Sequence, residues 1–419
     1  MIKPIKSSIY LSIAVAMLMA WAPSSKAQVI IIQPNQDDSC AVSFDENWNQ
    51  INIGHYVGKK KSWCGLPSKP ACHLPEWDLM GGSLLVQGVS DVNVVADGPF
   101  QNCSGVFMDG ASNVTVSDID CQEAGGGVLV TNSNNITLRN LSFQLAEGAQ
   151  PSSLDVQNSQ GVTASGLSFE GGFDRANVQA SSDVKVDRSY FEVSNNVSFS
   201  NINIFESSDV SFSKVVVNGG GGGVTMNAST DVSLSQARIT PGADSTFPSI
   251  LDFDSTGINI NQVTIDRRAV ASSNCVNLNG SSEVTIANNK CLSDPANSSD
   301  YAIIFTQVSD YLVTRNLLDG SASGIFITDQ ATGEDSEGEI SRNTVNVNGA
   351  YGIFLSGASG VDVIRNNFTN SAGIGTGAFY YDEAGIPPNT VPLIINFEKN
   401  KYSGFEFNGE CNSLEMICP

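Results

Sequence analysis

The chain has 419 residues, of which 21 are Lys or Arg and 43 are Asp or Glu, so its formal net charge is −22. This charge excludes nucleic acid as a natural partner, because a surface that binds phosphates must be rich in Lys and Arg. It also disfavours polyanionic glycans, unless a divalent cation bridges the two negative surfaces.

The first 27 residues have the composition of a secretory signal peptide. Two lysines near the start precede an apolar run from Ile9 to Trp21, and small residues lead to a cleavage site after Ala27. A membrane anchor is the alternative, but the run is shorter than the roughly 20 residues that span a bilayer. We therefore predict a secreted protein, extracellular or periplasmic, with 1–27 removed and no membrane insertion. Removal takes away three lysines, and the net charge becomes 18 − 43 = −25.

Residues 28–82 do not follow the pattern of the chain that comes after them. They hold three of the four tryptophans and both histidines, together with Cys40, Cys64 and Cys72. A repeat protein exposes an apolar cross-section at each end, and an atypical segment must cover it. We predict that 28–82 is an N-terminal cap with one disulfide among its cysteines; a small aromatic binding site is the alternative. Without a C-x-x-C pair, a zinc site is not expected.

Short alternating strands bounded by Gly, Ser or Asn recur along residues 83–380, with no helical period. The first apolar residue of the second strand in each unit returns every 21 to 28 residues. These positions are Val92, Val114, Ile136, Val162, Val184, Val210, Val232, Ile258, Val284, Leu312, Ile340 and Val361. Units of this length, which bury their apolar faces only against their neighbours, are typical of a β-solenoid.

The repeat is clearest in two stretches of the chain. Residues 352–371 read GIFLSGASGVDVIRNNFTNS, and residues 126–143 read GGVLVTNSNNITLRNLSF. This pattern resembles the right-handed parallel β-helix repeat of the pectate-lyase-like superfamily. The resemblance implies an all-β fold, a right-handed parallel β-helix (solenoid) of about twelve coils over 83–380, with caps at 28–82 and 381–419. The superfamily includes lyases, hydrolases, epimerases and adhesins, so the resemblance predicts the fold and leaves the activity open.

No catalytic residue can be transferred from that superfamily to this chain. A polygalacturonase would carry N-T-D, D-D, G-H-G and R-I-K in order, an alginate epimerase D-P-H, and a pectate lyase R-x-P-x-x-R. Here Asp37 and Asp38 lie before the repeats, and His55 stands in Gly-His-Tyr. If the protein is an enzyme, the resemblance implies a polysaccharide lyase or an activity like that of a glycoside hydrolase.

The middle residue of the first strand in each unit points outward, and these residues form one column along the solenoid. The column reads Phe107, Leu129, Asp155, Asn177, Asn203, Thr225, Asp252, Asn277, Ile304, Phe326, Phe354 and Tyr380. Its polar centre is about 24 Å long, since parallel strands lie about 4.8 Å apart. We predict that a linear polysaccharide or a cell-surface glycan lies along it. The predicted binding residues are Asp155, Asn177, Asn203, Thr225 and Asn277, with Arg175 in an adjoining turn.

Asp252 and Asp254 are the candidate catalytic pair. They stand two residues apart on one strand, so they would share a face at about 6.5–7 Å. That separation suits a general acid and base for cleavage of a glycosidic bond, or a shared Ca²⁺ ion. A surface turn is the alternative, since Asp254 begins the turn-like run Asp-Ser-Thr-Gly. Apart from this Ca²⁺ ion, no cofactor or metal is expected.

Several further positions are assigned to structure. We predict that Phe143, Phe169 and Phe191 stack in the interior, and that Cys121 and Cys291 are buried thiols in the same slot. A recurring asparagine after the second strand is predicted to stack from coil to coil, and the residues concerned are Asn140, Asn288, Asn316, Asn343 and Asn366. Residues 381–419 are predicted to be a C-terminal cap, in which Cys411 and Cys418 are close enough in sequence to close a loop.

Two functions compete on these observations. The first is a secreted protein that binds or processes a glycan along the outward column, which predicts a cleft flanked by the turns near 170–178, 240–250 and 266–270. The second is a non-catalytic surface or matrix scaffold, similar to an adhesin, which predicts a smooth rod. In both cases we expect a monomer.

Overall fold

A computed structural model of the protein describes residues 30–36, 39–44, 50–53, 55–57, 71–79, 82–146, 152–194, 201–270, 274–294, 301–328, 337–349, 351–358, 360–372, 377–382, 395–405 and 410–411. The elements named in these ranges are β-strands. Within them, no helix is long and apolar enough to cross a membrane. The predicted signal peptide and Cys418 lie outside the described residues, and the predicted domain boundaries stay predictions.

Three long sheets run along the solenoid, and each coil contributes a strand to each of them. From residue 83 onward the first sheet contains Ser83–Gln87, Gly105–Asp109, Val128–Thr131, Leu154–Gln157, Ala176–Gln179, Ile202–Phe205, Val224–Asn227, Ile250–Phe253, Val276–Asn279, Tyr301–Thr306, Ser323–Thr328, Tyr351–Ser356, Gly377–Asp382 and Glu410–Cys411. At its start, Ile30–Gln36 pairs in parallel with Ser83–Gln87 and antiparallel with Ser39–Phe44, which in turn pairs with Gln50–Ile53.

The second sheet has 15 strands and the third has 14. The strands of the second sheet are His55–Val57, Ala71–Leu74, Asn93–Ala96, Ser112–Ser117, Asn134–Arg139, Gln160–Ser165, Ser182–Asp187, Ser208–Ser213, Thr230–Ser235, Asn259–Asn261, Ser282–Ala287, Ser309–Thr314, Gly338–Ser341, Val361–Ile364 and Ile395–Glu398. Those of the third are Trp77–Asp78, Phe100–Gln101, Asp120–Ala124, Ser142–Leu145, Ser168–Phe173, Tyr190–Val193, Val216–Gly219, Arg238–Thr240, Thr264–Arg267, Lys290–Ser293, Leu317–Ser321, Thr344–Val347, Asn367–Asn370 and Lys401–Ser403.

The alternation of apolar and polar residues explains why each strand buries one face. In Ser112–Ser117, Val114 and Val116 are fully buried, whereas Thr115 between them is partly exposed. This strand pairs in parallel register with the next coil, so that Val114 lies beside Ile136. Repeated in each coil, the pattern joins the buried faces into one continuous core. The predicted right-handed parallel β-helix is confirmed.

The predicted interior stack of aromatic rings is also confirmed. Phe143, Phe169 and Phe191 are fully buried in successive coils of the third sheet. The ring centroids of Phe143 and Phe169 are 5.2 Å apart, and those of Phe169 and Phe191 are 5.5 Å apart, with nearly parallel planes. Phe173 meets Phe169 edge-on at 5.3 Å. Stacking at this distance follows from the spacing of parallel strands, which sets the distance between equivalent side chains.

The prediction of buried free thiols at Cys121 and Cys291 is wrong in one respect. Both side chains are buried as expected, but Cys121 forms a disulfide with Cys103, and Cys291 forms one with Cys275. Each bridge joins the third-sheet strand of a coil to a neighbouring turn 16 to 18 residues upstream. The pairing was missed because only Cys121 and Cys291 were placed on the repeat. Cys72 is disulfide-bonded as well.

A serine ladder lines the turn that joins the first and second strands of the central coils. Each serine hydroxyl accepts a hydrogen bond from the backbone N–H of the serine one coil earlier, as in Ser133 N to Ser159 Oγ at 3.1 Å. The ladder continues through Ser159, Ser181, Ser207, Ser229 and Ser255 at 3.1–3.2 Å. The buried backbone donors of these turns are therefore satisfied by the next coil.

An asparagine ladder lines the next turn of the last coils. Asn343 Nδ2 donates to Val313 O at 2.8 Å and to Asn366 Oδ1 at 3.0 Å, while Asn343 Oδ1 accepts from the backbone N and the Nδ2 of Asn316. The ladder consists of Asn289, Asn316, Asn343, Asn366 and Asn400. Stacking is thus confirmed for three of the predicted asparagines. Asn140 and Asn288 precede this slot, with exposed side chains and the positive φ of a left-handed turn. Their amides donate to Asp118 and Asn261 of the preceding coil, each at 3.0 Å.

The register of two late coils differs from the prediction. Tyr311 and Gly338, rather than Leu312 and Ile340, occupy the first inward position of the second strand. Tyr311 is 3 % exposed, and a Cβ on Gly338 would meet its ring at 2.2 Å. The large ring fills the volume of both positions, so neither coil has an aliphatic residue there, and the predicted register is one residue late at Leu312 and two residues late at Ile340.

Candidate functional site

The predicted outward column lies on the first sheet, with one exception. Backbone pairing connects Phe107, Leu129, Asp155, Asn177, Asn203 and Thr225 in adjacent coils. Leu251 takes the next place, and the column continues through Asn277, Ile304, Phe326, Phe354 and Tyr380. All twelve of these side chains are partly exposed, so the outward column is open to solvent. The role of its polar members in binding stays a prediction.

Hydrogen bonds link the polar members of the outward column along the solenoid axis. Asn177 Nδ2 donates to Asp155 Oδ1 at 3.0 Å, and Asn203 Nδ2 donates to Asn177 Oδ1 at 3.0 Å. Gln157, two residues after Asp155 on the same strand, donates to Asp155 Oδ2 at 2.9 Å. A side-chain amide can donate two hydrogen bonds and accept two. Asn177 therefore keeps one donor and one acceptor position for a ligand.

The prediction that Asp252 points outward is wrong. Its strand, Ile250–Phe253, pairs so that Asp252 lies between Met226 and Leu278 of the inward row, and Asp252 is 0 % exposed. Asp252 Oδ2 accepts hydrogen bonds from the hydroxyl of Ser281 and from the backbone N of Ser255, the latter at 3.4 Å. Oδ1 has no hydrogen-bond partner among the described residues. Burial raises the pKa of the Asp252 carboxyl, and these hydrogen bonds offset part of the rise.

The strand that contains Asp252 could not be oriented from its own residues. Ile-Leu-Asp-Phe has apolar residues on both faces, so alternation alone gives no decision, and the polar residue was placed outside. In the fold, Ile250 fills the buried position beside Val224 and Val276, which forces Leu251 outward and Asp252 inward. The interior accepts the carboxyl because Ser255 of the serine ladder and Ser281, one coil later, supply donors to it.

Asp254 is not a partner of Asp252 on a shared face. It lies just after the strand, is exposed, and has a φ of 56° in the turn. Its Asp-Ser-Thr-Gly context therefore forms a surface turn, which was the alternative interpretation. One carboxyl is inside and the other outside, so the two cannot act as an acid and base on one glycosidic bond. Within the described residues, no cluster of three or more His, Cys, Asp or Glu could hold a metal ion.

The outward column ends in an aromatic cluster. We call Tyr301, Phe326, Tyr351, Phe354 and Tyr380 the aromatic platform. Phe354 lies 5.0 Å from Phe326, 5.4 Å from Tyr351 and 4.8 Å from Tyr380, measured between ring centroids. Tyr301 lies 5.0 Å from Phe326. All five rings are partly exposed, so the platform offers ring faces and edges to a ligand.

Two members of the aromatic platform were missed by the sequence analysis. Tyr301 and Tyr351 each stand three residues before a column residue, Ile304 and Phe354 respectively, and that spacing is the signal that could have found them. Burial raises the pKa of the Tyr301 hydroxyl, with a further contribution from Tyr351. The hydroxyl therefore remains a neutral hydrogen-bonding group at physiological pH.

A second row of the same face brings aromatic rings close to the polar centre. Phe253, 36 % exposed, is the large apolar side chain most open to solvent in the described part of the chain. It pairs with Asn227, which in turn pairs with Phe205 of the coil before. Phe205 and Phe253 thus lie two coils apart, or about 9.6 Å along the axis. The polar centre of the outward column therefore has aromatic rings beside it, at Phe205 and Phe253, as well as the aromatic platform at its end.

The predicted binding residue Arg175 lies at the edge of this face. Its Nε is 3.9 Å from Asp174 Oδ2, and its side chain is 44 % exposed. Two further arginines, at the end of the third-sheet strand Thr264–Arg267, differ in their surroundings. Arg268 makes a surface pair with Asp266 at 2.7 Å, which holds the pKa of the Asp266 carboxyl below its usual range. Arg267 is 1 % exposed and donates to Ser249 Oγ at 2.6 Å, so it belongs to the interior.

Solved structures with the same fold have diverse activities. The A-module of a mannuronan C-5 epimerase from Azotobacter vinelandii is 9 % identical, with a TM-score of 0.35 over 82 % of this chain and 89 % of that one. A surface protein and adhesin of Streptococcus pneumoniae is 10 % identical, with a TM-score of 0.33 over 81 % and 87 %. A lacto-N-biosidase from Eubacterium ramulus is 10 % identical, with a TM-score of 0.31 over 77 % and 62 %.

Similarity at this level concerns the fold and carries no argument about activity. No curated protein matches the chain significantly. The profile described as "Right handed beta helix region" matches residues 104–245 and 201–368, which is more than half of the chain and includes the outward column from Phe107 to Phe354. The chain therefore belongs to the family of right-handed β-helix proteins.

Proposed function

We propose that the protein is exported and binds a neutral, linear polysaccharide along the outward face of the first sheet, without cleaving it. One observation carries this proposal: the same face of the first sheet contains side-chain amides with free hydrogen-bonding positions and the aromatic platform. Amides such as Asn177 offer hydrogen bonds to sugar hydroxyls, and partly exposed rings offer apolar surface to the C–H faces of sugar rings.

The composition of the outward column favours a neutral ligand on this face. The outward column from Phe107 to Tyr380 contains no Lys or Arg that could pair with an anionic sugar, and Asp155 is its one carboxylate. Hydrolysis of a glycosidic bond needs two carboxylates about 5–9.5 Å apart, and the column does not supply a second. Binding without cleavage also covers the adhesin-like alternative, since an adhesin needs only the contact surface.

A binding assay with two substitutions tests the proposal. The full chain is titrated with a panel of soluble neutral polysaccharides, including xylan, glucomannan and mixed-linkage β-glucan, and reducing ends are assayed in the same samples. We expect binding without new reducing ends. Phe354→Ala should weaken binding about tenfold, since it removes the central ring of the aromatic platform, and Asn177→Ala about fivefold.

Matched substitutions on the other two sheets provide the controls. Tyr190→Ala removes a partly exposed ring from the third sheet, and Asn259→Ala removes an exposed amide from the second. Neither should change affinity by more than about twofold. If the controls weaken binding as much as Phe354→Ala and Asn177→Ala do, the ligand lies elsewhere. New reducing ends would show that the protein is an enzyme.

A further inference from the structure

Four cations occupy the same turn position in four successive coils near the end of the solenoid. We call Arg315, Arg342, Arg365 and Lys399 the basic ridge. Each directly follows a second-sheet strand, and the last residues of these strands, Thr314, Ser341, Ile364 and Glu398, pair with one another in register. All four cations are exposed and have φ values of 56–58°. The basic ridge thus runs along a convex edge between the second and third sheets, away from the outward column.

The asparagine ladder fixes the geometry of the basic ridge. The next residues along the chain are the buried Asn316, Asn343 and Asn366 and the partly buried Asn400, and their amides hydrogen-bond from coil to coil. The cations therefore repeat at the strand spacing of about 4.8 Å, and the ridge is about 14 Å long from first to last. A ligand meets a row of positive charges whose backbone is already ordered.

The three arginines of the basic ridge have no partner within the part of the chain that the structure describes. Arg315, Arg342 and Arg365 make no ion pair or side-chain hydrogen bond with any other part of the described chain. Lys399 Nζ lies 3.4 Å from Glu398 Oε2. Some groups in the same slot of earlier coils are satisfied locally: Gln236 donates to Gln262 at 3.1 Å, and Arg188 pairs with Asp187 at 2.6 Å. In a chain with twice as many acids as bases, three adjacent unpaired arginines are a conspicuous concentration of positive charge.

The backbone of this turn does not require arginine. A positive φ is adopted with least strain by Gly or Asn, and Gln262 and Asn288 fill the same slot in earlier coils. The backbones of these residues repeat at about 4.8 Å, so their positive charges repel one another, and a bound anion would offset that repulsion. The reason for the arginines therefore lies in what their side chains can bind.

We propose that the basic ridge binds an extended anionic polysaccharide through carboxylate or sulfate groups on successive sugars. Guanidinium groups bind such oxyanions with two parallel hydrogen bonds. A convex edge suits an extended chain rather than a compact ligand, and a linear chain of pyranose units advances by roughly one strand spacing per unit. The site is separate from the face proposed for a neutral polysaccharide.

Two matched double variants test this proposal. Arg342→Gln with Arg365→Gln removes two charges from the basic ridge, while Arg188→Gln with Lys214→Gln removes two charges from the same slot of earlier coils. Both changes place Gln where Gln236 and Gln262 already stand with positive φ, so both variants should fold. Binding of the full chain to immobilised polygalacturonate, heparin and dextran is measured at low and at physiological salt. These probes carry carboxylates, sulfates and no charge, respectively.

We expect the wild type to bind polygalacturonate or heparin but not dextran through this site, and to bind more weakly as salt rises. The ridge variant should lose about tenfold in affinity and the control less than about twofold. Which polymer binds better distinguishes the two sources of negative charge.

The proposal is overturned if the wild type binds neither polyanion at low salt, or if both variants lose affinity equally. Salt-sensitive self-association that the ridge variant alone abolishes, without polyanion binding, would overturn it in favour of a second copy of the chain. Binding to neutral polysaccharides should not change in either variant, so the two proposed sites can fail independently.

Discussion

The interior of the solenoid and the outward face of its first sheet both contain asparagines and aromatic rings stacked from coil to coil. These side chains are buried in the interior and partly exposed on the outward face. Inside, Asn343 makes four hydrogen bonds, two as donor and two as acceptor. Outside, Asn177 makes two, one with each neighbour in the column. An amide can make four, so the inner one has no capacity left and the outer one has half. An amide whose four hydrogen bonds are all made within the protein stabilises the coil. An amide with free donor and acceptor positions can bind a ligand.

The aromatic rings repeat this contrast. Phe169 is fully buried between Phe143 and Phe191, with stacked neighbours on both sides. Phe354 has comparably close neighbours in Phe326 and Tyr380 but remains partly exposed. Stacking at the coil spacing is therefore common to both regions, and burial separates them. The same β-helix repeat thus yields a core and a recognition surface from one set of side chains.

The largest predicted effect on stability concerns the difference between the buried and the partly exposed rings. Phe169→Ala should lower the free energy of unfolding by about 3–5 kcal/mol, because it leaves a cavity in a fully buried stack. Phe354→Ala should lower it by about 1 kcal/mol, since the ring is already partly in water. Urea unfolding of the two variants, followed by circular dichroism, measures the difference. Equal losses would mean that the outer rings are part of the core and not a recognition surface.

The contrast between inner and outer amides makes a smaller prediction. Asn343→Ala should destabilise the protein by about 2–4 kcal/mol, because the buried backbone N of Asn316 and the carbonyl of Val313 both lose a partner. Asn177→Ala should change stability by less than about 1 kcal/mol, since water can replace the lost bonds. The same urea series measures both. If Asn177→Ala lowers the free energy of unfolding as much as Asn343→Ala does, the outward column stabilises the fold as the asparagine ladder does, and the distinction between the two is wrong.

Much of the fold could be predicted from sequence because alternation and period are local signals. Val114 and Val116 around Thr115 indicate an inward and an outward face without any knowledge of the neighbours, and the recurring phenylalanine slot predicts the interior stack. The outward column followed from the same count, except at one coil. There the strand Ile-Leu-Asp-Phe gives no alternation, and the choice between Leu251 and Asp252 depends on Val224 and Val276 in the adjacent coils.

The features that were missed depend on contacts between coils. The disulfide partner Cys103 stands in a turn, outside the slots of the repeat. The basic ridge leaves a trace in sequence, a cation followed by Asn at Arg315, Arg342, Arg365 and Lys399, but its meaning requires knowing that the four turns lie side by side. The absence of ion pairs to the three arginines could not be read from the sequence, since acidic residues are abundant nearby in the chain.

The smallest predicted effect concerns Asp252, the one buried acidic residue in the described part of the chain. In the unfolded chain its pKa is near 3.8, and burial raises the value in the folded protein. Between the two values the folded protein holds a proton that the unfolded chain has released. The free energy of unfolding should therefore fall as pH rises from about 4 through the folded pKa, and level off above it.

Asp252→Asn removes this titration while keeping an oxygen that can accept from Ser281. Urea midpoints of the variant, measured from about pH 4 to about pH 8, should decline less with rising pH than those of the wild type, whatever the absolute stability of the variant. Asp254→Asn is the matched control, because that carboxyl is exposed, and its midpoints should follow the wild-type decline. If Asp252→Asn and wild type decline in parallel, the carboxyl of Asp252 is not buried in solution, and the inward orientation of this strand is wrong. Asp252 would then return to the outward face, where its charge could act on a bound glycan.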